Sequence, residues 1–85
     1  MDRDAALRLL RSDVESARQK LREASAVFDA IVSEIPSGLP HPDGSQRIFN
    51  SSRELTMARR NVMAALDRLN ALVLRNTMPD DLKGR

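Results

Sequence analysis

The sequence predicts an all-α protein, an antiparallel two-helix hairpin with coiled-coil-like packing that dimerises into a four-helix bundle. Apolar residues recur at positions 7, 10, 14, 17, 21, 24, 28, 31 and 35, in alternating steps of three and four, and the pattern resumes at 48, 55, 58, 62, 65, 69 and 72. That spacing keeps one face of each helix apolar. A break with three prolines and two glycines between positions 36 and 44 separates the two runs. Ala and Leu dominate the apolar residues, two phenylalanines are the only aromatics, and no stretch alternates with the period of a strand. Such a composition suits helix-on-helix packing and disfavours a sheet.

Helix 1 is expected over about 3–35, as the first part of a single domain spanning 1–85. It should start near Asp2 or Asp4, where a carboxylate accepts the orphan N–H groups of the first turn and meets the positive end of the helix dipole. Written as heptads, Leu7, Val14, Leu21, Phe28 and Ile35 fall at position a, and Leu10, Ala17, Ala24 and Ile31 at d. Pro36 ends the helix, since proline lacks the N–H and disfavours helical geometry in the residue before it. The turn, 36–44, reads Pro-Ser-Gly-Leu-Pro-His-Pro-Asp-Gly. Its prolines stiffen it, and its glycines permit the positive φ that a reversal needs. Leu39 is expected to pack back onto the bundle end.

Asp43 has the character of an N-cap, with Gln46 three residues on completing a capping box. Helix 2 then runs over about 45–76, with Ile48, Leu55, Val62 and Leu69 at a and Ser51, Ala58, Ala65 and Leu72 at d. The small d residues of both helices predict a close approach, at the short end of the usual 8–10 Å or so between axes. In the tail, 77–85, Pro79 breaks the helix and Pro-Asp-Asp starts one short turn, with Met78 and Leu82 folding back onto the end of the hairpin.

Eighty-five residues bury a poor fraction of their surface unless something enlarges the core. The chain has no cysteine, so disulfides and thiolate metal sites are excluded. Of 18 seam positions, six are Ala, Ser or Asn. Oligomerisation is the remaining source of stability. Apolar residues beyond the seam supply a surface for it. Leu9 and Val27 project from helix 1, Phe49, Met63 and Leu74 from helix 2, and Leu66 and Val73 widen the helix 2 stripe. These seven are the predicted dimer interface, and a second copy of the chain is the predicted partner.

The net charge is only +2, but helix 2 carries six arginines against Glu54 and Asp67. Arg53, Arg60, Arg68 and Arg75 fall within an arc of about 80° on its outer side. They are candidate contacts for a protein partner or for a phosphate backbone. No catalytic or metal site is expected. His41 is the only histidine, the Glu-x-x-His signature of a di-iron bundle is missing, no base stands ready to activate the serines, and no Gly-rich phosphate loop occurs. The chain therefore reads as a non-enzyme without cofactor. It also lacks any uninterrupted apolar run of about twenty residues, which predicts a soluble, cytoplasmic protein with no membrane partner.

The architecture resembles that of small helical-hairpin dimers, including the secreted WXG-type proteins. The turn sequence and the absence of tryptophan limit the resemblance to architecture, and it assigns no family. The expected function is that of a protein–protein interaction or scaffold protein acting as a homodimer with an unidentified protein partner. The alternative is a small nucleic-acid-binding dimer that uses the arginines of helix 2.

Overall fold

The computed structural model describes residues 1–34 and 42–83. They form three helices, α1 (Arg3–Glu34), α2 (Pro42–Arg75) and α3 (Asp80–Lys83), with no strand among the described residues. α1 and α2 pack against each other as a hairpin, the fold expected from the heptads, in a molecule 55 Å long and 20 by 16 Å across. Ile35, Leu39 and His41, on which the expectations for the end of helix 1 and for the turn rest, lie outside the described residues.

The start of α1 follows the sequence closely. Asp2 Oδ1 accepts the Ala5 N–H at 2.7 Å, and the Asp2 carbonyl accepts the Ala6 N–H at 3.0 Å. Asp2 is therefore the N-cap, and Asp4 adds a negative charge to the first turn.

α2 departs from expectation at both ends. It begins at Pro42 rather than near 45, so Asp43 is the second residue of the helix and not its N-cap. Proline is well suited to the first helical position, where its missing N–H has no intrahelical partner to lose and its φ is already helical. At the other end α2 stops at Arg75, and Asn76, expected to continue the seam, has φ 53°. Asn is one of the few residues other than Gly that enters the left-handed region readily, and there it reverses the chain as a C-terminal cap. The Thr77 N–H then reaches back to the Ala71 carbonyl at 3.0 Å. The side chain of Asn76 is used as well, because its Oδ1 accepts a bond from Arg3 Nε at 3.0 Å. The end of α2 is thereby tied to the start of α1.

The tightest core lies at this open end. Ala6, Leu10, Leu72 and Leu82 form a buried cluster, and Met1, Leu7, Leu9, Leu69 and Met78 pack around it. α3 is a single turn, closed by a 2.9 Å bond from the Leu82 N–H to the Pro79 carbonyl, and it delivers Leu82 into the cluster at 1% exposure. The expected return of Met78 and Leu82 onto the hairpin is thus observed. Along the rest of the seam Val14, Ser51, Leu55 and Ala58 are buried, but Leu21, Ala24, Phe28, Ile31, Ile48 and Val62 are only half-buried. Two helices meeting along a line leave the flanks of their seam residues open.

Two substitutions check this account. Leu82→Ala should lower the unfolding free energy by about 2 kcal/mol or more, the usual cost of truncating a fully buried leucine, as read from urea titration. Asp2→Ala should cost about 1 kcal/mol through loss of the cap, seen as a lower melting temperature.

Candidate interaction surfaces

Because the hairpin is one helix thick, it has two broad faces, and heptad position decides which side chains stand on each. In an antiparallel pair the g and c positions of both helices flank the d edge on one face, and the e and b positions flank the a edge on the other. The contents of the two faces differ sharply.

On the first face the small d residues leave a furrow. Ala24, Ile31 and Ser51 floor an open groove of about 460 Å³ between Lys20 and Val27 of α1 and Arg47 and Glu54 of α2. Ala17 and Ala65 floor a second stretch of about 320 Å³, between Asp13 and Lys20 on one side and Asn61 and Arg68 on the other. Lys20 borders both, so the furrow is continuous. Ser51 is 6% exposed, and its hydroxyl has no hydrogen-bond partner among the described residues. Toward the open end α3 lies on the same face. Asp81 accepts from Arg68 Nη2 through both carboxylate oxygens, at 2.9 and 2.7 Å, and Arg68 Nη1 stands 3.8 Å from Asp13.

On the second face the a residues are large, yet the depression there, about 450 Å³, is comparable in size to the groove. Leu21 and Leu55 lie there among Arg22, Asp29 and Arg59.

The seven predicted interface residues do not share one face. Val27, 55% exposed, stands at g on the groove face. Leu9, at c on the same face, is half-buried against the terminal cluster of its own chain. Phe49 and Met63, at b and 58% and 62% exposed, point away from the groove, as do half-buried Leu66 and exposed Val73 at e. Leu74, the most exposed at 77%, stands at f on the outer side of α2. Angular spacing along each helix shows that these residues leave the seam. Only the handedness of the pairing shows that Val27 and Met63 leave it in opposite directions. The structure adds Val32 and Met57, which are also exposed and which the heptad reading passed over.

The arginine stripe is likewise divided. The Arg53 guanidinium lies over the Phe49 ring, 6.0 Å from its centroid, a cation–π contact on the surface. Arg60 borders the same shallow depression as Phe49 and Met57. Arg75 is exposed at the last turn of α2. Arg68 is engaged by Asp81 and Asp13, because at g it leans over the furrow instead of standing on the outer side. Its engagement depends on the folded tail, which angular spacing on α2 does not reveal.

Among the described residues no three His, Cys, Asp or Glu side chains gather as a metal site, and no helix is long and apolar enough to cross a membrane. No known family model, curated protein or solved structure matches this chain.

The unpartnered Ser51 hydroxyl has a measurable consequence. Leaving a buried hydroxyl unbonded costs about 1–3 kcal/mol. Ser51→Ala, which keeps the small volume at d, should therefore leave the urea midpoint unchanged or raise it. A clear fall would show that the hydroxyl is bonded.

Proposed function

We propose that this protein is a cytoplasmic, non-enzymatic protein–protein interaction or scaffold protein that works as a homodimer, two hairpins forming a four-helix bundle. The observation that supports it most is the imbalance between what the hairpin buries and what it leaves out. Among the described residues seven apolar side chains are buried, three of them alanine or valine, while Val27, Val32, Phe49, Met57, Met63, Val73 and Leu74 are each 46% exposed or more. At about 25 cal/mol per Å² of apolar surface, covering side chains of this size is a strong drive to associate. A second copy is the simplest cover for one of the two faces, two hairpins closing into a bundle around a twofold axis while the apolar residues of the other face stay open. The homodimer then presents its outer faces to a further protein partner, the role of a scaffold.

The nucleic-acid alternative loses Arg68 to the pairs with Asp13 and Asp81, which leaves Arg53, Arg60 and Arg75 of the predicted stripe.

Sedimentation equilibrium across a concentration range tests the dimer. The expected result is a reversible monomer–dimer equilibrium with the dimer dominant at tens of micromolar. A chain that stays monomeric and fully helical at that concentration would overturn the proposal.

A further inference from the structure

The groove face is set apart from the other by the position of α3 and by the buried hydroxyl of Ser51. We propose that the second copy docks on the groove face, lined by Ala17, Ala24, Ser51 and Ala65, and lies tip to tail with the first. This rests on the homodimer reading above and names its surface and orientation.

The first support is that the furrow already holds a helix. At the open end α3 lies in it with Leu82 fully buried against Ala6, Leu10 and Leu72, and with Asp81 on Arg68. The same furrow continues uncovered from Arg68 to Arg47, so its free length is continuous with a contact the chain makes itself. Within that length Ser51 offers a buried hydroxyl that lacks a partner among the described residues.

The second support is charge. An interface around a twofold axis meets its own image and must be self-complementary. The rim of the furrow carries Asp13, Glu23 and Glu54 against Lys20, Arg47 and Arg68, three of each sign.

The third is size. The twenty-two residues of free furrow from Arg47 to Arg68 span about 30 Å at ~1.5 Å per residue, and across a hairpin 20 Å wide this gives roughly 600 Å² per copy, about 1,200 Å² in all, the lower end of stable interfaces.

Orientation follows from α3. Two copies laid in the same direction would bring α3 against α3 at the open end and hold the furrows apart. Laid tip to tail, each free furrow faces the other, and each α3 stands beyond the partner's tip.

The test uses single substitutions on the full chain. Val27→Glu on the groove face should raise the dimer dissociation constant at least tenfold in sedimentation equilibrium with helicity retained, because Val27 is exposed in the single hairpin. Met63→Glu, on the opposite face, should change it less than twofold. A dimer that survives Val27→Glu, or that Met63→Glu dissociates equally, overturns the assignment of the face while leaving the dimer. A monomeric wild type overturns the dimer and this proposal together. Since the chain has no cysteine, Ser33→Cys gives a unique spin-label site that does not depend on how Val27→Glu folds. Tip-to-tail pairing predicts a label separation of about 25–35 Å, whereas a separation under about 20 Å marks same-direction pairing and overturns the orientation.

Discussion

Two helices of about 10 Å diameter touch only along a line, and that contact governs everything else in this molecule. A line contact buries the centres of the seam residues and leaves their flanks open, which is why Phe28, Ile31 and Ile48 remain half-buried at ideal heptad positions. Small d residues bring the helices together at the expense of the bulk they contribute. The chain answers at one end by adding a third element, the single turn of α3, and among the described residues the closed cluster is the one that includes Leu82. Elsewhere the open flanks remain, and they are the physical origin of the groove and of the exposed Val27.

Polar contacts follow the same division. At the open end Asp2 caps α1, Asn76 turns the chain and accepts from Arg3, and Arg68 gathers Asp81 and Asp13. Along the middle of α1 the contacts of Gln19 with Glu23 and of Arg22 with Gln19 are local to one helix. Exposed pairs of that kind contribute little to stability, whereas at the open end cross-helix polar contacts accompany the buried Leu10, Leu72 and Leu82.

Much of the fold was legible in the sequence because its causes are periodic and local. Heptad spacing placed the seam, Asp2 had the character and position of a cap, and Pro79 marked the start of the tail's turn. Three features were not legible, each for a reason of its own. Pro42 and Asp43 both fit a helix start, and choosing between them needs the path of the incoming chain. Asn76 stood at a seam position by count, but a residue at the end of a pattern has no further turn to confirm it. The candidate interface residues are defined by angle along each helix alone. Exposure of Val27, Phe49, Met63 and Leu74 was readable from angle alone, whereas the division of Val27 from Met63 into opposite faces arises only when two helices are laid side by side. Arg68 belongs to the same class, since the tail that engages it lies thirteen residues further on at Asp81.

The bond between Arg3 and Asn76 joins residues 73 apart in sequence. A force applied through Arg3 and Asn76 therefore meets the hairpin as a zip fastener held at its open end, not as a rope pulled along its length. The clasp of Leu82, Asn76 and Arg68 bears the load first, and behind it the seam gives way one turn at a time. Drawn apart at Arg3 and Asn76, the two helices separate from the open end inward, a mechanical polarity set by one left-handed asparagine and one buried leucine.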